Sequence, residues 1–130
     1  MISLYVDGAS AGNPGNSGIG VVILHNNQQQ QLNKTIGSYT NHEAEFLAAI
    51  WGLEQCKEIE SSVIRLFSDS QAVISAIEKR YAKKEPYAAY LQTILTLLDT
   101  YELVFCNWIP RDKNKKADQL ARAAIVKSIN

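Results

Sequence analysis

The sequence predicts an α/β domain built on one mixed five-stranded sheet, with three antiparallel strands first, parallel strands after them, and helices on both faces. Three observations support this prediction. The chain opens with three β-prone runs that are separated only by turns. Helical and β-prone segments then alternate, as in strand–helix–strand crossovers. The hydrophobic fraction of 46% and the charged fraction of 20% are typical of globular proteins.

Length and composition exclude several protein classes. The 130 residues are enough for one domain, which we expect to span 1–130. No apolar run is long enough to span a membrane, and residues 2–6 are too few for a signal peptide, so we expect a cytoplasmic protein without membrane association. Two cysteines are too few for a disulfide scaffold. The net charge is zero, but basic residues are concentrated in 63–84 and 106–130, which suits either a phosphate backbone or solvated helix faces.

The first three strands are predicted from short apolar runs and the turns between them. Residues 2–6 form the first strand, a loop rich in turn formers follows at 10–18, and the second strand covers 19–25. A hairpin turn at 26–27 leads into a third strand that ends near Ser38. The short connections indicate an antiparallel meander. Four glycines are interpreted as permitting a tight loop: Gly12, Gly15, Gly18 and Gly20.

The first helix is predicted to begin at Thr40. Thr40 and Glu43 match a capping box, and Asn41 is an alternative cap. Apolar residues then recur at the period of a helix with one buried stripe: Ala44, Leu47, Ala48 and Trp51. We therefore expect Trp51 to lie in the core, and we expect the same of Trp108 in the last strand.

The second half of the chain alternates strands and helices. Residues 63–67 form a fourth strand, and Ser68-Asp69-Ser70 begins the next helix. Pro86 suits the first turn of a third helix that reaches about Thr100. A fifth strand covers 103–109, and a last helix carries small and apolar residues at helical spacing. These crossovers imply parallel pairing among the later strands.

Four acidic residues lie where the predicted elements meet the edge of the core. Asp7 and Asp69 each follow an apolar strand, and ligands of open α/β sheets bind at such strand ends. Glu45 and Asp118 lie near helix starts, beside the apolar stripes. Each acid also has a structural explanation as a turn residue, a cap or a charge near a helix N-terminus. Together, four hard oxygen ligands favour Mg²⁺ or Mn²⁺.

Four segments carry a resemblance to a known family. An Asp-Gly strand end with a Gly-Asn-Pro-Gly loop lies at 7–15, and a Thr-Asn helix start with its Glu lies at 40–45. Ser-Asp-Ser-Gln lies at 68–71, and Asn-Lys-Lys-Ala-Asp-Gln-Leu-Ala lies at 114–121. In this order they resemble the four motifs of type 1 ribonuclease H, and the resemblance covers the chain from end to end. It implies a ribonuclease H-like fold.

The resemblance also implies a reaction. Asp7, Glu45, Asp69 and Asp118 would be the catalytic residues and would hold two Mg²⁺ or Mn²⁺ ions, with Asp7 bridging both. One ion would activate the attacking water, and the other would stabilise the leaving 3′ oxygen. The implied reaction is hydrolysis of the RNA strand of an RNA–DNA hybrid, which leaves a 5′ phosphate. We expect the enzyme to be a monomer.

Substrate contacts are implied at further positions. By the resemblance, Asn13, Asn41 and Gln71 would contact the RNA strand, with help from backbone amides of the glycine loop around Gly12. Thr40 would help to seat a DNA phosphate. RNA is usually recognised through its 2′-hydroxyls in a shallow minor groove. Turn and capping chemistry is an alternative explanation for these residues.

Many family members carry a basic insertion that is much shorter in this chain. That insertion lies between the second and third major helices and grips the hybrid, whereas here it is reduced to the short basic stretch 79–84. We therefore expect weak and strongly salt-dependent binding of the hybrid. Tyr81, Tyr87 and Tyr90 lie near these basic residues, and both nucleic-acid contact and ordinary helix packing remain open for them.

A second departure concerns a loop histidine that many members carry before the last Asp. Residues 109–114 contain no histidine. Arg111 and Lys113 are auxiliary candidates, but neither side chain is a good proton shuttle near neutral pH. We therefore expect slow turnover that improves with Mn²⁺. His25 and His42 have no zinc-ligand spacing and no nucleophile partner, so neither is assigned a catalytic role.

Two alternatives to a hybrid-cleaving nuclease stay open. One is a weakly active or non-catalytic relative that binds nucleic acid or a protein partner, and the missing histidine and short insertion favour it. The other is a polynucleotide transferase or integrase of the same fold, since a fold does not determine its chemistry. The four acids favour an enzyme, and the Asn and Gln residues near the motifs favour recognition of an RNA strand.

Overall fold

The protein forms one five-stranded sheet in the order β3-β2-β1-β4-β5. The computed structural model describes residues 1–129, with side chains described as far as Val126. The strands are β1 (Ile2–Ser10), β2 (Gly15–His25), β3 (Gln28–Tyr39), β4 (Val63–Ser68) and β5 (Leu103–Trp108). β2 pairs antiparallel with β1 and β3, whereas β4 pairs parallel with β1 and β5. The predicted mixed topology is confirmed.

Within residues 1–129, four α-helices cover the two faces of the sheet. They are α1 (Asn41–Gln55), α2 (Gln71–Lys79), α3 (Tyr87–Leu98) and α4 (Lys115–Ile129), with one-turn 3₁₀ helices at Cys56–Glu58 and Arg111–Lys113. α1 packs on β1 and also contacts α2 and α3, while α4 packs on the other face against β2, β1 and β3. The prediction of helices on both faces is therefore confirmed.

The main core lies between the sheet and α1. Leu4 and Val6 of β1 and Ile64 and Leu66 of β4 are essentially inaccessible to solvent, because they point from adjacent parallel strands toward the same helix layer. Ile94 of α3 closes this layer from outside. Each such side chain contributes about 1.5–3 kcal/mol through burial. The core thereby fixes the strand ends at which the acidic residues lie.

Two predicted strand boundaries are wrong. β1 continues through Asp7 as far as Ser10, and β2 begins at Gly15 rather than Ile19. The reason is that antiparallel pairing with β2 extends into the turn-rich segment, from Gly8↔Ile19 to Ser10↔Ser17. The hairpin turn at 26–27 is confirmed, and both of its asparagines have the positive φ values that such turns require.

The tryptophans and the buried face of α1 differ from the prediction. Trp108 is 45% exposed, because β5 is an edge strand of the sheet, so its predicted core position is wrong. Trp51 is half-buried and packs against the core. α1 buries Phe46 and Leu53 more deeply than Leu47 and Trp51, because α1 packs against α3 as well as the sheet.

Both cysteines are free thiols. Cys56 is buried, and burial raises its pKa to about 12. Cys106 is only partly buried, and its pKa is raised to about 11, mainly by burial. No helix within residues 1–129 combines the length and apolar character needed to cross a membrane.

A candidate active site around Asp7

Asp7 lies in β1 just beyond the last residue pair that β1 makes with β4. The parallel ladder ends at Val6↔Ser68, whereas pairing with β2 continues through Asp7↔Gly20. Asp7 is only 7% exposed, and its Oδ1 accepts a hydrogen bond of 3.0 Å from the amide of Gly8. A carboxylate is thus placed inside the sheet, where it is poorly solvated.

Two glycines beside Asp7 allow a helix to approach from each face. A Cβ on Gly8 would lie 2.3 Å from the carbonyl of Ala44 in α1. A Cβ on Gly20, the cross-strand neighbour of Asp7, would lie 2.2 Å from the carbonyl oxygen of Ala117 in α4. Both contacts are far below any real Cβ distance. The missing side chains therefore let α1 bring Glu45, and α4 bring Asp118, toward Asp7.

The four predicted acids are brought together around Asp7. The pKa of Asp7 is raised to about 9, first by burial, then by the charge of Asp69, a hydrogen bond with Asp118, and the charges of Asp118 and Glu45. At neutral pH the ionised form of Asp7 is therefore unfavourable without a compensating cation. Side chains separated by more than 100 positions in the chain share one electrostatic environment.

Three of the four acids line a cleft of about 450 Å³ that we call the carboxylate cleft. It opens where β1 and β4 meet α1 and α4. Its lining is rich in charged and polar groups: Asp7, Gly8, Ala9, Ser10, Asn41, Glu45, Asp69, Arg111, Arg122 and Ile125. Two arginines thus face the same space as three of the acids, so the cleft can accommodate an anion as well as cations.

Asp69 is held through both its backbone and its side chain. Trp108 Nε1 donates to the Asp69 carbonyl at 3.1 Å, and Asn114 Nδ2 donates to Asp69 Oδ2 at 3.2 Å. Ser70 follows directly and begins α2, because its hydroxyl accepts from the amide of Val73 at 3.2 Å. β5 and the start of α2 therefore fix the backbone at Asp69, and the residue before α4 orients its carboxylate.

Glu45 has polar neighbours on α1 and α2. Asn41 Nδ2 donates to Glu45 Oε1 at 3.3 Å, and His42 Nδ1 lies 3.4 Å from Glu45 Oε2. Burial raises the pKa of Glu45, whereas hydrogen bonding from Ser70 and contact with His42 act in the opposite direction. The side chain is held at the edge of the cleft by donors from two helices.

Asp118 lies one turn before Arg122 on α4. Arg122 Nε donates to Asp118 Oδ1 at 3.1 Å, and this contact is both a hydrogen bond and an ion pair. Asp118 also lies close enough to Asp7 to raise the pKa of Asp7. Arg122 therefore orients one acid of the cluster and lines the cleft itself.

Comparisons with known proteins agree with this architecture. A family model described as reverse transcriptase-like matches residues 5–124. The Ribonuclease H of Desulforamulus reducens is 36% identical over 140 residues, covering 95% of this chain and 86% of its own. The chain belongs to the type 1 ribonuclease H family. A protein of Enterococcus faecalis named as the hydrolase EbsB is 43% identical over 129 residues. The match covers 98% of this chain and 96% of the relative.

A solved ribonuclease H structure shares the whole fold. LC11-RNase H1, in complex with an RNA/DNA hybrid, superimposes with a TM-score of 0.91 at 30% identity, and the match covers 100% of both chains. The ribonuclease H-like fold predicted from the motifs is therefore confirmed.

The residues expected to contact RNA in this ribonuclease H family member are only partly gathered at the cleft. Asn13 Oδ1 accepts from the amide of Asn41 at 3.3 Å, which ties the glycine loop to the start of α1. Gly12 lies in that loop, and its amide donates to Ser10 Oγ at 3.3 Å. Gln71 is exposed at the start of α2 and does not line the cleft.

Thr40 is the N-cap of α1, as predicted. Its hydroxyl accepts from the amide of Glu43 at 3.1 Å, and Glu43 Oε1 accepts from the amide of Thr40 at 3.0 Å. The Thr40 hydroxyl also lies 3.4 Å from the Tyr87 hydroxyl. Capping therefore explains Thr40 structurally, and its role toward a DNA phosphate stays a prediction.

The two auxiliary candidates differ in position. Arg111 lines the carboxylate cleft, whereas Lys113 lines a separate surface pocket beside Tyr5 and Lys116. Both belong to the same 3₁₀ turn, whose tight geometry sends neighbouring side chains in different directions. Arg111 is the candidate that lies near the acids.

A second cavity of about 440 Å³ lies where α1 packs against α2 and α3. We call it the lysine groove, and its residues are His42, Phe46, Ala72, Ser75, Ala76, Lys79, Tyr81, Ala82, Lys83, Lys84 and Tyr87. His42 lines this groove and also contacts Glu45. The lysine groove therefore adjoins the carboxylate cleft.

Several residues of the site were missed in the sequence analysis. Gly20 falls within the predicted second strand and is interpreted from sequence only as permitting a tight loop, whereas the structure places it in β2 opposite Asp7 and against α4. His42 lies three positions before Glu45, and Arg122 lies four positions after Asp118. This helical spacing is the sequence signal that could have identified both residues. Asn114 lies within the fourth motif, but its side-chain direction depends on tertiary packing.

Proposed function

We propose that this protein is a metal-dependent endonuclease that hydrolyses the RNA strand of RNA–DNA hybrids and leaves 5′-phosphate ends. The observation that carries the proposal is the convergence of Glu45, Asp69 and Asp118 on the buried Asp7. Relatives named Ribonuclease H and the hybrid complex of LC11-RNase H1 support the choice of substrate.

The chemistry of the cleft fits divalent cations. Within residues 1–129, no three His, Cys, Asp or Glu side chains already form a metal-binding group. The donors are nevertheless carboxylate oxygens, which Mg²⁺ and Mn²⁺ prefer. Burial and the neighbouring acids raise the pKa of Asp7, and a cation beside the carboxylates would offset both effects. We propose that Asp7, Glu45, Asp69 and Asp118 hold two such ions.

The bound ions would activate water and stabilise charge on the phosphodiester. The chain's own residues orient the participants. Arg122 holds Asp118, and Asn41, His42 and Ser70 hold Glu45. Arg111 shares the cleft and provides a permanent positive charge for a substrate phosphate. A phosphate flanked by acids requires such compensation, because carboxylates alone would repel it.

We propose that the hybrid spans both cavities. The RNA strand would lie over the carboxylate cleft beside Asn13, Asn41 and Gln71, and the DNA strand would lie toward Thr40 and the lysine groove. Thr40 and the groove residue Tyr87 are in contact, so the cap and the groove are continuous. The lysines of the groove are exposed, and such contacts with phosphates give salt-dependent affinity.

A second candidate function is that of a weakly active or non-catalytic relative that binds nucleic acid or a protein partner. The specific observation in its favour is that the segment before α4 brings Arg111 to the cleft where many family members have a histidine. An arginine carries charge but does not exchange protons near neutral pH. On this basis we expect slow turnover that improves with Mn²⁺.

We further propose one domain over 1–130 that acts as a monomer in the cytoplasm. Every residue of the site comes from a single chain, so the proposed chemistry needs no second copy. The two free thiols fit a reducing compartment.

The experiment that tests the function uses one labelled RNA–DNA hybrid, one duplex DNA and one duplex RNA, each with Mg²⁺ or Mn²⁺. We expect the wild-type protein to cleave only the RNA strand of the hybrid. Asp69→Asn should abolish cleavage, while Asp99→Asn, an exposed aspartate on the C-cap of α3, serves as the matched control. Binding of the hybrid without cleavage would favour the second candidate, and cleavage that persists in Asp69→Asn would indicate a contaminant.

A further inference from the structure

Asn114 immediately precedes α4 and is buried, with only 2% of its surface exposed. Its backbone carbonyl accepts from the amide of Asp118 at 3.1 Å, as an N-cap residue does. An asparagine at this position normally turns its side-chain oxygen toward the helix amides. Within the described residues, however, Asn114 Oδ1 has no hydrogen-bond partner. The side chain is therefore not used for capping.

The amide group of Asn114 points into the site instead. Nδ2 donates to the carbonyl of Val6 at 2.9 Å and to Asp69 Oδ2 at 3.2 Å, so both of its hydrogens are engaged. The opposite orientation of the amide would place Oδ1 against a carbonyl oxygen and a carboxylate oxygen. Such an arrangement would bring three acceptors together without a donor, so the hydrogen bonds fix the side-chain orientation.

One of these acceptors belongs to β1, and the other, Asp69, directly follows β4. Val6 directly precedes Asp7, and Val6↔Ser68 is the last pair before β1 and β4 separate toward Asp7 and Asp69. Asn114 itself begins the helix that carries Asp118. One side chain thus connects the segments that carry three of the four acids.

We propose that Asn114 is a positioning residue that fixes the Asp69 carboxylate relative to Asp7, and that it thereby sets the affinity of the carboxylate cleft for divalent cations. This inference rests on the proposed function. Leaving a buried acceptor unpaired and giving up a helix cap both oppose folding. The arrangement is explained when the side chain serves the site rather than the helix.

The test is direct measurement of Mn²⁺ binding by the electron paramagnetic resonance signal of the free ion. Asn114→Ala removes the tether on Asp69, and loss of such an outer contact typically weakens metal binding about 10- to 100-fold. Asn33→Ala is the matched control, because Asn33 Nδ2 donates to the Leu120 carbonyl at 2.8 Å and so also fastens α4 to the sheet. We expect Asn33→Ala to bind Mn²⁺ within about twofold of wild type.

Unchanged Mn²⁺ affinity in Asn114→Ala would overturn the inference. Equal weakening of Mn²⁺ binding in Asn114→Ala and Asn33→Ala would also overturn it, because Asn114 would then only anchor α4. If Asn114→Ala does not fold, the wild-type protein supplies the test through its side-chain amide NMR signals. Addition of Mg²⁺ should shift the signal of Asn114 and leave that of Asn33 in place, and an unshifted Asn114 signal would overturn the inference.

The two proposals fail in different ways. A wild-type protein that binds no Mn²⁺ would overturn both of them. A wild-type protein that binds Mn²⁺ through Asn114-dependent contacts but cleaves no hybrid would overturn only the nuclease function.

Discussion

The carboxylate cleft and the lysine groove adjoin each other, share His42 as a neighbour and have nearly equal volumes, yet they are built in opposite ways. In the cleft, each acid is contacted by a group from another element or another turn, and buried charges accumulate around Asp7. In the groove, exposed lysines surround a floor of apolar and aromatic side chains such as Phe46.

The difference teaches that the two halves of the site have different tasks. Fixed, partly buried carboxylates position reacting atoms, but they oppose folding because their charges repel one another. Flexible surface lysines adapt to a phosphate backbone and affect folding little. Substitutions in the cleft should therefore change rate and stability, and substitutions in the groove should change affinity and its salt dependence.

The largest effect is expected from Asp7→Asn. The substitution removes the carboxylate at the centre of the cluster, and loss of several kcal/mol of transition-state stabilisation lowers the cleavage rate by roughly a thousandfold or more. Initial rates on a labelled hybrid measure this effect, with Asp99→Asn as the isosteric control. A residual rate above about one tenth of wild type would break the comparison, because the cleft would not be the reacting site.

Gly20→Ala should produce the next largest effect. The added Cβ would collide with the Ala117 carbonyl and displace α4, and misplacement by about 1 Å can reduce the rate about 100-fold. The crowding should also lower the free energy of unfolding by about 1–3 kcal/mol. Rate measurements and denaturant titration test both effects, and alanine at the exposed Ser38 of β3 is the control. Normal activity would show that Asp118 does not need this close approach.

Replacing Lys83 and Lys84 by glutamine tests the groove. We expect KM for the hybrid to rise several-fold with kcat nearly unchanged, and the slope of log affinity against log salt to decrease by about one for each lost phosphate contact. Lys57→Gln is the control, since Lys57 is exposed beyond the C-terminal end of α1, away from the groove. A change in kcat without a change in salt dependence would contradict the division of tasks.

The stability of the metal-free protein should depend on Asp7 in a definite direction. The folded-state pKa of Asp7 is raised to about 9 from an ordinary value of 3.8, so the folded protein binds this proton more tightly than the unfolded chain. As the pH rises from about 4 toward about 9, the unfolded chain loses this proton while the folded protein retains it. The free energy of unfolding therefore falls over this range. At pH 7 with a chelator present, Asp7→Asn should melt several degrees above wild type.

This stabilisation should shrink as the pH approaches 4, where Asp7 is protonated in both states. Thermal melts of wild type and Asp7→Asn across this pH range provide the measurement. An equal difference at pH 4 and pH 7 would show that charge is not the cause.

The smallest effect is expected from Thr40→Ala at the border between the two cavities. Loss of the cap should lower the free energy of unfolding by about 1 kcal/mol. Chemical denaturation measures the loss. Thr93→Ala provides the comparison, because Thr93 lies on the exposed side of α3, where alanine is the better helix former. Equal changes in the free energy of unfolding for the two substitutions would show that the Thr40 cap does not stabilise the start of α1.

Much of this architecture follows from local sequence patterns. The capping box at Thr40 is predictable because all of its partners lie within four positions. Asp7 and Asp69 can each be assigned to the end of a strand from the sequence, whereas the structure shows that these two strands are parallel neighbours. The order of strands and helices follows from hydrophobic periodicity and from the rules for crossovers.

Other features depend on contacts that no local pattern encodes. Gly20 faces α4 only because the antiparallel register places it opposite Asp7. Trp108 is exposed because β5 is an edge strand, although its sequence is a nearly continuous apolar run like that of an inner parallel strand. The direction of the Asn114 side chain depends on two acceptors that are distant in the chain.

The glycines beside Asp7 also link assembly of the sheet to the emergence of activity. A slip of β1 by one residue would turn Asp7 toward α1 and would bring a side chain into the place where α1 now touches the bare backbone of Gly8. Such a misaligned molecule could not seat α1 and would have no cluster of acids. Docking of α1 therefore requires the correct strand register, and the same register assembles the acidic cluster.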